Sequence, residues 1–200
     1  MVALANDGSD PRIARTRDAV YQATIELICE VGYEGLNIDA ISRRSGVARS
    51  TIYRHWSSVA EVMYESAFTV PSLLVDPASD GRTSLRRVLG GLAERLYNSP
   101  FGHVLAASVD AGERHEEIRR LQIQLATERF EATLTMLADG VERGEIRHDA
   151  DIAMAMEMAT GALFRRRLIS RQPVDDAYLD ALTDFVWAAI SARHPAADAD

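Results

Sequence analysis

The chain has 200 residues, enough to bury a hydrophobic core in one large or two small domains. Its net charge of −8 argues against a protein that binds nucleic acid non-specifically over its whole surface. A single cysteine excludes an internal disulfide, and no segment approaches the ~20 apolar residues of a membrane span. The N-terminus has no secretion signal either, so we predict a cytoplasmic protein.

The first predicted helix follows a small, polar N-terminal segment. We expect residues 1–11 to be disordered. Apolar residues then recur at the spacing of one helix face and predict a helix over residues 12–31. The predicted buried face consists of Val20, Thr24, Leu27, Ile28 and Val31. Cys29 is also expected to be a small buried side chain.

Residues 32–56 contain two short predicted helices separated by a turn. Asn37 is the expected N-cap of the first helix, and Gly46 can take the left-handed conformation that ends it. In the second helix, Ile52 and Trp56 are four residues apart and define a buried face. The residues left facing outward are Arg49, Ser50, Thr51, Tyr53, Arg54 and His55. This layout is typical of a helix-turn-helix, whose second helix enters the DNA major groove.

Positive charge is concentrated in the same segment. Residues 40–56 contain four arginines and no acidic residue, although the chain as a whole is acidic. The four are Arg43, Arg44, Arg49 and Arg54. A local charge of +4 on an acidic body would turn this one face toward DNA.

A further helix is predicted directly after this segment. Ser58 and Glu61 form the S-x-x-E pattern of a capping box, which marks the start of a linking helix over residues 58–70. Pro71 ends that helix, because the residue before a proline disfavours the helical conformation. Residues 76–81 have the composition of a loop.

From residue 82 onward the apolar spacing predicts only helices. No segment alternates as a strand would, so the sequence predicts an all-α fold. The predicted helices span about 82–97, 101–112, 113–141, 149 or 151 to 170, and 175 or 176 to 193. The predicted domains are a helix-turn-helix domain over 12–57, the linking helix, a body over 71–194 and a frayed tail over 195–200.

The last two predicted helices carry apolar residues on two sides. A helix of this kind lies either in the centre of the monomer or also against a partner. We predict a dimer interface that includes Ala155, Ala159, Ala162, Leu163, Tyr178, Leu182, Phe185, Val186 and Ala189.

Residues 12–64 resemble the N-terminal domain of the TetR family of transcriptional regulators. The matching pieces are Gly32-Tyr33-Glu34-Gly35, Ala40-Ile41, Ser45-Gly46-Val47, Thr51-Ile52-Tyr53-Arg54-His55-Trp56 and Ser58-Val59-Ala60-Glu61. Two positions depart from the family pattern. Val59 stands where relatives often have a lysine or arginine that reaches a phosphate, and Ala48 stands where a serine often caps the recognition helix. Both changes remove a polar contact near DNA.

The resemblance implies a homodimeric, DNA-binding repressor that a small molecule of unknown identity releases from a palindromic operator. The residues expected at DNA are Asn37, Arg44, Arg49, Ser50, Thr51, Tyr53, Arg54 and His55, with Arg49 and Ser50 reading bases. Residues expected to line an effector pocket are Phe68, Leu92, Leu96, Phe101, His103, Leu105, Arg129, Phe130 and Met158. In the family the two helices of the predicted interface form a four-helix bundle across a two-fold axis.

Other functions stay open at this stage. The protein could be an activator, its body could bind another protein, or it could be a helical interaction module that no longer binds DNA. Arg12, Arg15 and Arg17 could contact DNA or be solvated. An enzyme is not expected, because the chain has no nucleophile elbow and no phosphate-binding glycine loop, and its His115-Glu116 pair lacks the second histidine of a zinc protease. We predict no cofactor and no metal site.

Overall fold

The computed structural model of the chain describes residues 11–68 and 79–192. Four sequence predictions fall partly or wholly outside these residues. They concern the N-terminal segment before residue 11, the end of the linking helix at Pro71, most of the loop over 76–81, and the C-terminal tail.

The described residues form nine α-helices and no strand, which confirms the predicted all-α fold. They are α1 (Pro11–Val31), α2 (Ile38–Ser45), α3 (Arg49–His55), α4 (Val59–Phe68), α5 (Gly81–Asn98), α6 (Phe101–Gly112), α7 (Glu116–Glu142), α8 (Ile152–Phe164) and α9 (Asp176–Ile190). None of these helices combines the length and the apolar character that crossing a membrane requires.

The chain divides into two compact units. The first lies within Met1–Val70 and His103–Gln122, and the second within Pro71–Gly102 and Ile123–Asp200. The first unit therefore contains the helix-turn-helix and the linking helix. It also takes in residues 103–122, which the sequence places in the body.

In the first unit, α1 packs against α2 and α4. The buried apolar residues of these helices and α3 include Val20, Ala23, Leu27, Ile28, Ile38, Ile41, Ile52, Ala60, Val62 and Met63. Two predictions for α1 are wrong, because Cys29 and Val31 are exposed. Cys29 is turned about 100° from Ile28 around the helix axis. Val31 lies on the predicted face, but it is the last residue of α1 and is 53% exposed.

In the second unit, α9 packs against α5 and α8. The core residues of these helices include Leu85, Leu89, Ala93, Leu96, Met156, Leu163, Leu179, Val186 and Ile190. Asp151 and Asp175 cap α8 and α9, accepting hydrogen bonds from the backbone N–H groups of Met154 (2.9 Å) and Tyr178 (2.8 Å). Both helix starts agree with the sequence prediction.

Two predicted helix boundaries need correction. The helix predicted from residue 113 starts at Glu116, because the N–H groups of Arg114 and His115 turn back to the carbonyl of Ala111. The helix predicted to run to residue 170 stays α-helical only to Phe164. It continues as a π-helical segment over Arg165–Ser170 and ends at Arg171, whose φ of 54° is left-handed.

Candidate nucleic-acid interface

The helix-turn-helix has the local structure that its sequence predicts. The Asn37 side chain accepts a hydrogen bond of 2.8 Å from the N–H of Ala40 and so caps α2. Gly46 ends α2 with a φ of 72°, which a residue with a Cβ adopts only under strain. Ala48 precedes α3 without any side-chain cap. The recognition helix α3 therefore begins without the hydrogen bond that a serine would supply.

Helix α3 is fixed by two residues on its inner side. Ile52 and Trp56 are almost completely buried, as predicted. The indole N–H of Trp56 also donates a hydrogen bond of 2.7 Å to the carboxylate of Glu65 on α4. The recognition helix is thereby tied to the linking helix by a polar contact in addition to its apolar packing.

Glu65 is the centre of a network that the sequence analysis missed. The same carboxylate oxygen, Oε2, accepts from the Tyr21 hydroxyl at 2.7 Å and from Arg17 at 3.0 Å. The sequence leaves the role of Arg17 open, and the structure shows that it pairs with Glu65. Arg17 and Tyr21 lie on α1, Trp56 directly follows α3, and Glu65 lies on α4. Only the tertiary structure brings these four residues together.

The environment of Glu65 favours its ionised form. Burial raises the pKa of the carboxyl, but the hydrogen bonds from Tyr21, Trp56 and Arg17 outweigh it and lower the pKa overall. The network therefore holds a carboxylate at neutral pH, which is the form that can accept from three donors at once.

The outer side of α3 presents polar and aromatic groups to solvent. Arg49, Ser50, Tyr53 and Arg54 are exposed, Tyr53 to 59%. Thr51 and His55 are half-buried, with the His55 ring 5.5 Å from the Trp56 ring. The predicted DNA-binding residues of α3 therefore share one surface, with Thr51 and His55 at its edge.

The arginines of this surface differ in their partners. Arg49 forms an ion pair with Asp39 at 2.8 Å. Arg44 is held between Glu26 and Glu30 of α1, at 3.1 and 2.7 Å. Arg44 would have to leave these two carboxylates to reach a phosphate.

Arg43 and Arg54 are exposed, and neither forms an ion pair with any residue that the structure describes. They are the cations of the helix-turn-helix that are most available to a phosphate. The side-chain oxygen of Asn37 is occupied in capping α2. Val59 is half-buried and uncharged, so it cannot form an ion pair with a phosphate.

The two parts of the chain match two parts of one protein family. Residues 20–63 match the family model described as "Bacterial regulatory proteins, tetR family". Residues 77–186 match the model "Tetracyclin repressor-like, C-terminal domain", which by itself covers more than half of the chain. The chain belongs to the TetR family of transcriptional regulators.

Individual members of the TetR family are similar along most of their length. A regulator of Bacillus subtilis named "Uncharacterized HTH-type transcriptional regulator YdeS" is 27% identical over 172 residues, covering 84% of this chain and 86% of the relative. The "DNA-binding transcriptional repressor TetR" of Mycobacteroides abscessus is 26% identical, covering 86% and 92%. The crystal structure of the TetR family regulator SCO0332 superposes with a TM-score of 0.64 at 26% identity, covering 88% and 98%.

Membership of the TetR family fixes the general activity. Proteins of this family are DNA-binding regulators and not enzymes, in agreement with the sequence analysis. Among residues 11–68 and 79–192, no group of three or more His, Cys, Asp or Glu side chains could hold a metal ion.

The residues predicted to line an effector pocket of this TetR family regulator do not share one environment. Leu96 and Phe101 are buried in the second unit, where Leu92, Arg129 and Phe130 are half-buried. Met158, in the same unit, is 57% exposed and faces outward. His103 and Leu105 belong to the first unit, where His103 is exposed and Leu105 half-buried. The side chain of Phe68 lies outside the part of the chain that the structure describes.

The residues predicted for a dimer interface divide into inner and outer groups. Ala155, Ala159, Leu163 and Val186 are buried inside the chain and therefore offer a partner little or no surface. Phe185 and Ala189 are exposed, while Ala162, Tyr178 and Leu182 are half-buried. Exposed Met154 and Met158 extend the outer group along α8.

Proposed function

We propose that this TetR family regulator is a homodimeric repressor that binds a palindromic operator and is released from it by a small molecule. The observation that carries the DNA-binding part is the outer surface of α3, where four exposed polar or aromatic side chains project from a helix fixed by Ile52 and Trp56. The repressor assignment is supported by the name of the relative from Mycobacteroides abscessus. A regulator of this kind acts on DNA in the cytoplasm.

We assign the α3 residues two roles. Arg49 and Ser50 lie in the first turn of α3 and would read base edges, since the N-terminal residues of a recognition helix contact bases and arginine binds guanine bidentately. Arg43, Arg54, Tyr53, Thr51 and His55 would contact phosphates, which fix position without reading sequence. Asn37 and Arg44 would act mainly by holding α2 in place.

The dimer is supported by an apolar surface on α8 and α9. Met154, Met158 and Phe185 are 52%, 57% and 67% exposed, which is unusual for large apolar side chains. A Cβ added at Gly161, on the same helix as the two methionines, would meet no atom within 4 Å. A second copy could therefore approach closely, and a two-fold dimer would present two recognition helices to one face of the DNA.

Selection from a random DNA pool by the purified protein, at a stated salt concentration, tests the proposal. We expect an enriched palindrome whose half-sites are centred about 34–36 Å apart, one turn of DNA. If folded, dimeric protein enriches no sequence, the alternative of a helical interaction module is favoured. That alternative has its own support, because Ala48 leaves α3 uncapped and Val59 removes a cation.

The Arg49→Ala variant tests the base-reading role. We expect it to lose about 1–3 kcal/mol of preference at one position of the selected site while leaving the other positions unchanged. Its folding should be unaffected, because the ion pair with Asp39 is exposed. Fluorescence anisotropy with the selected site and its single-base variants measures the preference.

Arg43→Ala is the matched control for Arg49→Ala. Arg43 is exposed on α2, so its removal should weaken all sites alike and reduce the slope of log affinity against log salt by about 1. Unchanged base preference in Arg49→Ala would remove Arg49 from the base-reading residues.

A further inference from the structure

The second unit contains a half-buried arginine, Arg95 on α5, with two unsatisfied hydrogen-bond donors. Its Nε and Nη2 atoms are shielded from solvent and form no hydrogen bond with any residue that the structure describes. The guanidinium carbon lies 4.2 Å from the centre of the Phe101 ring, so one face of the group is covered by an aromatic side chain. Buried donors of a charged group are costly to leave unsatisfied, so this arrangement needs an explanation.

Two other arginines of the same helix have carboxylate partners. Arg82 is paired with Asp184, and Arg86 with Asp176 and Asp180, all on α9. Arg95 has no such ion pair. Its sequence neighbour Glu94 instead accepts a hydrogen bond from Asn98. No carboxylate among residues 11–68 and 79–192 therefore forms an ion pair with Arg95.

A second positive charge lies close to Arg95. Burial and, as a smaller effect, the nearby charge of Arg129 on α7 together lower the pKa of Arg95 to about 10. Arg129 is itself half-buried, and burial lowers its pKa as well. The nearby charge of Glu128 acts against burial and raises the pKa of Arg129. Two guanidinium groups of the second unit therefore repel each other in a partly buried environment.

We propose that Arg95 and Arg129 form the charged part of an effector site whose ligand is a small organic carboxylate. Nε and Nη2 are the two parallel donors with which an arginine binds both oxygens of one carboxylate, and they are the two atoms of Arg95 that lack partners. Phe101 and Leu92, three residues before Arg95 on the same face of α5, provide apolar contacts for the rest of the ligand. The ligand would supply the acceptors that Nε and Nη2 of Arg95 lack among the described residues.

This site deepens the proposed function, because it names the chemical class of the effector. It also gives Arg129, predicted from sequence as a polar anchor of a pocket, a partner in Arg95. The negative charge of the ligand would be held at both guanidinium groups, which would relieve their repulsion.

The test measures thermal unfolding of the full chain with benzoate, phenylacetate and octanoate, each compared with its uncharged amide. We expect at least one carboxylate, and not its amide, to raise the melting temperature of the wild type. The Arg95→Met variant should lose this response while Arg165→Met, which changes an exposed arginine of the same unit, keeps it. A panel that contains no stabilising carboxylate, or an equal response in Arg95→Met, would overturn the assignment.

Unliganded Arg95→Met provides a second, ligand-independent measurement. Methionine removes the unsatisfied donors and the repulsion with Arg129, so we expect the melting temperature to rise by about 2–4 °C. A clear fall would mean that Arg95 stabilises the fold and is no ligand site. Neither measurement uses DNA. A protein that binds carboxylates but enriches no DNA sequence would therefore retain this inference and contradict the proposed repressor function.

Discussion

The Phe185→Glu variant is expected to be a monomer at concentrations where the wild type is a dimer. Phe185 is 67% exposed on α9, so glutamate is tolerated in the isolated chain. In a two-fold dimer that buries this face, both copies would place a carboxylate in an apolar contact. Burying unpaired charge costs several kcal/mol, and a total of about 4 kcal/mol would weaken the dimer ~1,000-fold. Sedimentation equilibrium measures the change directly.

Ile123→Glu is the matched control for the dimer prediction. Ile123 is 60% exposed on α7, outside the surface formed by α8 and α9, and the same charge is introduced there. We expect this variant to remain a dimer. If Phe185→Glu and Ile123→Glu have the same oligomeric state, the proposed interface on α8 and α9 is wrong. Loss of the dimer should also weaken binding to a palindromic site, since each half-site would then be bound independently.

The Glu65→Ala variant is expected to destabilise the helix-turn-helix by about 3 kcal/mol. The substitution leaves the buried indole N–H of Trp56 without its acceptor and separates Arg17 from its only ion-pair partner in the described part of the chain. Because these groups lie on α1, α3 and α4, the loss should loosen the recognition helix as well as lower stability. Affinity for DNA should therefore fall although Glu65 is not one of the residues proposed to contact DNA.

Fluorescence can follow the unfolding of this unit alone. The chain has two tryptophans, so in a Trp187→Phe background the signal comes from Trp56, which is almost completely buried beside Glu65. Asp18→Asn is the charge-matched control, since Asp18 is exposed on α1 and also loses one negative charge. Equal urea midpoints for Glu65→Ala and Asp18→Asn would show that the network does not hold the recognition helix.

The sequence by itself determined the parts of this protein that depend on local rules. Helix periodicity predicted the all-α fold, and capping preferences located the start of α2 at Asn37. They narrowed the start of α8 to Asp149 or Asp151 and that of α9 to Asp175 or Asp176, and the structure has Asp151 and Asp175 as the caps. The spacing of Ile52 and Trp56 identified the inner side of the recognition helix, and hence its outer side. These features extend over one or two helical turns, so neighbouring residues are sufficient to specify them.

Only the tertiary structure decided which charges are already satisfied. Arg44 looks as available as Arg54 in the sequence, yet α1 brings two carboxylates to Arg44 and none to Arg54. Three donors from different helices converge on Glu65, and no described residue supplies an acceptor to Nε and Nη2 of Arg95; neither fact follows from local sequence. Helix periodicity gives the direction of a side chain but not the identity of the groups packed against it. Partners distant in sequence become neighbours only when the helices pack together.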